Sequence, residues 1–154
     1  MHDSLVIADT SCLILLSKID ELAILKLNYN RILITPEIAN EFDQKLPDWI
    51  EIIKVKDKGL QLLLQDFLDM GESTALALAL ETDNATVILD DLKARKLAQK
   101  LGLKITGTIG VVVKAKLQGN IPSAKTVLNK ILDTDFRINF KTVEEAIKQA
   151  GESP

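Results

Sequence analysis

Acidic side chains follow or adjoin apolar segments in four separate parts of this chain of 154 residues. They are Asp9 after residues 5–8, Glu41 beyond residues 31–34, Glu72 beside Met70-Gly71, and the pair Asp90-Asp91 after residues 85–89. In open parallel sheets, functional sites form beyond the carboxyl ends of the strands. If the apolar segments are strands of one such sheet, these acids gather at one edge. Like charges that gather raise one another's pKa unless a cation shares the space.

A divalent cation held by these carboxylates could activate water and stabilise the leaving oxygen of a phosphodiester. The ion would need oxygen ligands, because Cys12 is the only cysteine and His2 the only histidine. Two such residues are too few for a Cys/His zinc site, and one cysteine excludes an internal disulfide. The sequence therefore favours Mg²⁺ or Mn²⁺, for which carboxylates are suitable ligands.

Each acid also has a purely structural interpretation. Asp9 could cap the helix that follows it, and one of Asp90 and Asp91 could cap the helix starting at Leu92. Glu72 near a helix N-terminus would interact favourably with the helix dipole. Glu41 on a helix could be a solvated charge. The metal-site hypothesis depends on the four segments together and on no single residue.

Predicted strands and helices alternate along the sequence, and these elements must position the acids. Short β-branched runs at residues 5–8, 31–34, 50–55, 85–89 and 104–106 predict strands, and helical patterns lie between them. This alternation predicts βαβ units and an α/β fold with a mainly parallel central sheet. We expect a single domain over residues 1–154, with residues 136–154 as a C-terminal helical extension.

Local signals place several helix ends. Thr35 is a predicted N-cap with Pro36 at the first helical position, and Gly102 is expected to end the helix that starts at Leu92. Asp20 is a predicted cap for a second short helix. Met70-Gly71 is interpreted as a break, with a helix opening at Glu72. The turn at residues 107–110 could present amide N–H groups to a phosphate or allow tight strand–helix packing.

Charge is distributed unevenly along a chain of net charge −3. Residues 1–91 hold 17 acidic and 7 basic side chains, whereas residues 92–132 hold nine basic and no acidic ones. The contrast suits an enzyme that binds metal with one part and phosphate with another, although a solvated lysine-rich face is an equal alternative. The sequence has no apolar run long enough for a membrane span and no signal-peptide pattern, so we expect a cytoplasmic protein without a membrane partner.

Together these motifs resemble a PIN domain. The resemblance rests on Asp9-Thr10-Ser11 after an apolar strand, Pro36 with Glu41, the segment 71–75, Leu89-Asp90-Asp91 with Ala94-Arg95, and the segment 107–111. It covers residues 5–119 and is greatest for a prokaryotic subgroup related to VapC-type toxins. Such a resemblance implies a three-layer α/β/α sandwich, RNA cleavage that depends on Mg²⁺ or Mn²⁺, frequent homodimerisation and inhibition by a small cognate antitoxin protein.

The resemblance also implies roles for individual residues. Asp9, Glu41, Glu72 and Asp91 match the catalytic acids of the family, and Asp90 is a further expected metal ligand. The fourth acid is the least defined, because Leu89 stands where the family usually has Thr. The third acid is Glu72 where Asp is commoner.

Residues beside the acids are expected to assist them. Ser11 matches the polar residue that supports the first Asp by hydrogen bonding. Lys93, Arg95 and Lys96 are expected to contact the RNA backbone, which gives affinity without sequence choice. The predicted function is that of a metal-dependent endoribonuclease, the toxin of a toxin–antitoxin pair.

Three alternatives compete with this interpretation. A phosphatase of the haloacid-dehalogenase type would need a second Asp two residues after Asp9, where the chain has Ser11. A receiver-like switch fits poorly with acids spread over four segments. A catalytically degenerate PIN scaffold that acts as a binding module is the strongest of the three.

Overall fold

The central sheet contains five parallel strands, and it forms the middle layer of an α/β/α sandwich. The computed structural model describes residues 4–154; His2 lies outside the described residues. The strands are β1 (Leu5–Ala8), β2 (Arg31–Ile34), β3 (Ile50–Ile52), β4 (Ala85–Ile88) and β5 (Lys104–Thr106). Their order across the sheet is β3-β2-β1-β4-β5. The predicted fold class is confirmed.

Helices connect and cover the strands. They are α1 (Thr10–Lys18), α2 (Ala23–Asn28), α3 (Pro36–Phe42), α4 (Lys58–Leu64), α5 (Met70–Leu80), α6 (Leu92–Lys100), α7 (Thr108–Leu117), α8 (Ala124–Leu132) and α9 (Phe140–Gln149). One group consists of α3 and α4, which both contact α5, and α5 also lies on β1 and β4. A second group consists of α2, α7, α8 and α9, joined through α7.

Several predicted helix ends are confirmed. The Thr35 side chain accepts a hydrogen bond from the Ile38 amide, and Pro36 opens α3. Pro36 suits this position because a first-turn residue has no intrahelical partner for an amide hydrogen. Beyond the end of α6, Gly102 adopts φ +77°, a left-handed conformation that favours glycine.

Three local predictions are wrong. Met70-Gly71 does not break the chain: α5 begins at Met70, and its N-cap is Asp69. Asp20 does not cap α2, whose N-cap position is Leu22; Asp20 instead lies in a left-handed turn at φ 60°. The edge strand β3 ends at Ile52, well short of residue 55.

Helix α5 is the most deeply buried helix segment near the site. Residues 73–79 are all buried, and Ala75, Ala77 and Ala79 let the helix lie close to its neighbours. A helix that is apolar on all sides belongs in the interior. Its burial fixes the first turn of α5 relative to β1 and β4, and therefore fixes Gly71 and Glu72.

The C-terminal segment is packed on the second helix group. In α9, Val143, Ala146 and Ile147 are buried against α7 and α8. The Glu152 carboxylate accepts hydrogen bonds from Ser123 Oγ (2.8 Å) and the Ala124 amide (2.6 Å) at the start of α8. Within residues 4–154, no helix is long and apolar enough to cross a membrane.

Candidate active site

The candidate site lies where the strand order changes direction. The chain proceeds from β1 outward to β2 and β3, then returns to place β4 on the other side of β1. A crevice at such a switch point is the usual binding site in open α/β sheets. Ala8 and Ile88 are partners at the carboxyl ends of β1 and β4. Asp9 and Asp90 therefore leave the sheet from adjacent strands.

Asp9 is a buried carboxylate that also caps a helix. Asp9 is only 2% exposed, and its Oδ1 accepts a hydrogen bond from the Cys12 amide at 3.0 Å. Burial raises the pKa of Asp9 to about 8; the negative charges of Asp90, Glu72 and Asp69 add to this rise, and the Cys12 amide opposes it. The predicted capping role and a role as ligand are compatible, because Oδ2 accepts no hydrogen bond from residues 4–154.

Glu41 lies between the first turns of two other helices. Its Oε1 accepts a hydrogen bond of 2.6 Å from Thr10 Oγ1, at the start of α1. The same oxygen lies directly against Gly71, where a Cβ atom would overlap it. The close approach of Glu41 therefore explains why residue 71 is glycine. The sequence pattern had suggested a chain break at this glycine instead.

Hydroxyl groups join α3 to α5 beneath Glu41. Thr74 Oγ1 donates to the Gly71 carbonyl at 2.9 Å, and it lies 2.7 Å from Thr35 Oγ1. Since the Thr74 hydrogen is used on Gly71, the Thr35 hydroxyl is the donor in this pair. All three residues are buried, so the N-terminal turns of the two helices are held together.

Glu72 and Asp69 form a pair at the start of α5. Asp69 Oδ1 accepts from the Glu72 amide at 2.8 Å, in the spacing of a capping box. Burial raises the pKa of Glu72 to about 7; Asp69, Asp91 and Glu41 contribute to this rise, and a hydrogen bond from the Asp69 backbone opposes it. Asp69 is a further acid, in the same segment as Glu72, that the sequence prediction missed. The Asp-x-x-Glu spacing was the available signal, and the interpretation of Met70-Gly71 as a break obscured it.

The adjacent acids Asp90 and Asp91 have different partners. Asp90 accepts two hydrogen bonds from Thr108, from its amide (2.8 Å) and its hydroxyl (2.6 Å). Asp91 is the N-cap of α6, where Oδ2 accepts from the Ala94 amide at 3.0 Å. The turn at residues 107–110 thus directs the Thr108 amide at Asp90. Asp91 keeps one oxygen without a hydrogen bond from residues 4–154.

The residues expected to assist the acids differ in their exposure and in their hydrogen bonds. Ser11 is exposed and makes no side-chain hydrogen bond within residues 4–154; the neighbours Thr10 and Cys12 contact the acids instead. Arg95 is half-buried, and its Nη1 donates to the Leu89 carbonyl at 2.7 Å. Lys93 and Lys96 are exposed.

Comparison with known proteins gives a family for this arrangement. A family model described as a PIN domain matches residues 5–152, nearly the whole chain. The chain belongs to the PIN-domain family. PIN domains are generally nucleases that use divalent metal ions and bind RNA. No curated protein and no solved structure matches the chain significantly.

The acids of this PIN domain converge without forming a tight ligand cluster. No group of three or more acidic, histidine or cysteine side chains within the described part of the chain is close enough to hold a metal ion directly. Helix capping by Asp9, Asp69 and Asp91 fixes one oxygen of each carboxylate in a separate direction.

The donor set nevertheless fits a hard divalent cation. Its members supply only carboxylate oxygens, which Mg²⁺ and Mn²⁺ accept. Burial and mutual repulsion disfavour the charged forms of Asp9 and Glu72, and a shared cation would offset both effects. The first turns of α1, α5 and α6 also point their positive dipole ends at these acids.

Proposed function

We propose that this protein is an endoribonuclease that depends on Mg²⁺ or Mn²⁺ and is the toxin of a toxin–antitoxin pair. One observation carries the proposal: buried Asp9 and half-buried Glu72, both with raised pKa values, face further acids at the switch point of a parallel sheet. Such an arrangement is costly for stability alone, because burial and neighbouring acids both disfavour the charged forms of these two carboxyls.

In this proposal the metal is held by Asp9, Glu41, Glu72 and Asp91, with Asp90 as an additional ligand. When bound, the ion would activate water for in-line attack on phosphorus and stabilise the leaving oxygen. Thr10 orients Glu41 through its hydroxyl, so that Glu41 faces the first turn of α5.

Thr108 and Arg95 stabilise the other side of the site. Thr108 uses both its donors to hold Asp90. Arg95 fixes the Leu89 carbonyl, and a Cβ at Gly107 would lie 3.0 Å from Asp90 Oδ1 and 3.1 Å from Arg95 Nη1. Asp90 Oδ1 and the guanidinium therefore both adjoin Gly107. The remaining guanidinium donors can contact a phosphate at this side of the site. Lys93 and Lys96 would contact the RNA backbone from the exposed side of α6.

A small antitoxin and a homodimer complete the proposal, and both rest on the resemblance to VapC-type toxins. Co-expression with the protein encoded beside this gene tests the first, since a cognate antitoxin should bind the purified chain and abolish cleavage. Sedimentation equilibrium tests the second. A monomer at all concentrations, or an unchanged cleavage rate with the neighbouring protein, would remove the corresponding part of the proposal.

The cleavage assay compares the wild-type protein with Asp9→Asn on a panel of unstructured and folded RNAs. We expect the wild type to cleave RNA when Mg²⁺ or Mn²⁺ is added, and we expect excess chelator to abolish the cleavage. The Asn side chain keeps the oxygen that accepts from Cys12, so the variant should fold and be inactive. Cleavage by Asp9→Asn at the wild-type rate would refute the catalytic assignment. A folded wild type that binds RNA and metal without cleaving would favour the degenerate scaffold.

A further inference from the structure

A groove lies between the α4–α5 connection and α6. It is lined by Phe67, Leu68, Lys93, Lys96, Leu97 and Lys100. The three lysines are spaced by three and four residues, which places them on one side of α6. Leu68 and Leu97 form the apolar floor, and Phe67 is 54% exposed beside it. The groove therefore combines an accessible aromatic ring with a row of positive charges.

The groove begins at the candidate active site. On one wall, Leu68 is followed directly by Asp69, the N-cap of α5. On the other wall, Lys93 comes two residues after Asp91, the N-cap of α6. Both walls thus start beside acids that affect the pKa of Glu72. A chain that passes through the groove would continue into the site.

The lysines of the groove are available for a polyanion. None of Lys93, Lys96 and Lys100 forms an ion pair within residues 4–154, and all three are exposed. Lys93 and Lys100 are seven residues apart, which corresponds to about 10 Å along a helix. Such a row can follow a phosphate backbone over successive positions. Asp66 and Asp69 adjoin Phe67 and Leu68 on the opposite wall and would repel a phosphate backbone there. A phosphate backbone in the groove would therefore lie on the lysine side.

We propose that this groove is a subsite for single-stranded RNA next to the cleaved bond. A base would stack on Phe67 above the floor formed by Leu68 and Leu97, and the backbone would lie along Lys93, Lys96 and Lys100. Aromatic stacking requires an unpaired base, since the faces of paired bases are covered by their neighbours. The proposal rests on the proposed function for its substrate class and for Lys93 and Lys96. It adds the base-binding surface of Phe67, Leu68 and Leu97, the backbone contact of Lys100, and the preference for single strands.

Equilibrium binding in excess chelator tests the groove without cleavage. The probe is a short fluorescent single-stranded RNA, measured by anisotropy, with the same sequence in a duplex for comparison. Phe67→Ala should weaken single-strand binding about 5- to 100-fold, whereas Phe67→Trp should retain it. The double variant Lys96→Gln/Lys100→Gln should weaken binding and reduce the slope of log K against log salt by about 0.7 for each phosphate that the variant no longer neutralises.

Matched controls lie on α9, away from the groove. Phe140 is 72% exposed and Lys141 is exposed beside it, so Phe140→Ala and Lys141→Gln remove the same groups elsewhere. Both should bind RNA like the wild type. All variants alter exposed side chains, and thermal unfolding would verify that each is folded.

Two results would overturn the groove proposal. One is wild-type affinity for single-stranded RNA in Phe67→Ala, which would point to a protein partner or to no partner on this surface. The other is equal affinity for the duplex. Failure of the proposed function gives a different pattern: RNA binding that depends on Phe67 and the lysines, without cleavage when Mn²⁺ is added.

Discussion

The substitution Asp9→Asn should change how the stability of the metal-free protein depends on pH. The ordinary pKa of this carboxyl is 3.8, and burial raises it to about 8 in the folded protein. Between these values the folded state retains a proton that the unfolded state has lost, so wild-type stability must fall as pH rises through this interval. Below about pH 4 both states are protonated, and the contribution of Asp9 is then fully present.

The size of the effect follows from the width of that interval. At ~1.4 kcal/mol for each pH unit, about four units give an upper limit of about 6 kcal/mol. It is an upper limit because a charged Asp9 would draw water into the site. The Asn variant keeps the hydrogen bond with the Cys12 amide and carries no charge, so it lacks this contribution. Glu72 remains in both proteins, and its own titration therefore affects both.

Urea denaturation of both proteins in chelator, from about pH 4 to about pH 8, measures the difference directly. We expect the free energy of unfolding of the variant to rise relative to that of the wild type across this range. Excess Mn²⁺ should then stabilise the wild type at the upper end of the range and have little effect on the variant. Parallel pH profiles for the two proteins would refute the argument that Asp9 is buried as a neutral acid.

Three further substitutions test the neighbours of Asp9. Gly71→Ala places a Cβ on Glu41 Oε1 and should lower the cleavage rate at least about 10-fold. Little stability should be lost, because the Glu41 side chain can turn away and Ala favours the helix. The control in the cleavage assay and in thermal unfolding is Gly59→Ala, whose Cβ would meet only Asp57 at 3.6 Å. Thr108→Val removes the hydroxyl that binds Asp90 and should cost about 1–3 kcal/mol in urea denaturation; an unchanged midpoint would show that this bond is unimportant. Asp91→Asn should retain the cap of α6 but lose cleavage, whereas a variant that retains cleavage would restrict Asp91 to capping.

Sequence patterns predicted the fold because its determinants are local or periodic. The alternation of short strands and helices defined the parallel sheet, and Thr35-Pro36 marked the start of α3 through the chemistry of a first helical turn. The position of Asp9 at the end of β1 was predictable for the same reason. These features need no knowledge of distant contacts.

The details of the candidate site depend on distant contacts and were less predictable. Residue 71 is a glycine because Glu41, thirty residues earlier, lies against it, and no local signal distinguishes such a glycine from a helix breaker. Thr10, rather than Ser11, contacts an acid because helix α1 turns Ser11 outward. The Arg95 guanidinium donates to the Leu89 carbonyl and also adjoins Gly107, a contact that no local pattern indicates.

The central claim is that a divalent ion binds among these acids at the switch point of the sheet. Crystals grown with Mn²⁺, measured at a wavelength where manganese scatters anomalously, would locate the ion directly. We predict an anomalous peak at about 2.1 Å from the Asp9 carboxylate and from at least one of Glu41, Glu72 and Asp91. Occupied manganese sites elsewhere in the molecule, with none among these carboxylates, would contradict the account.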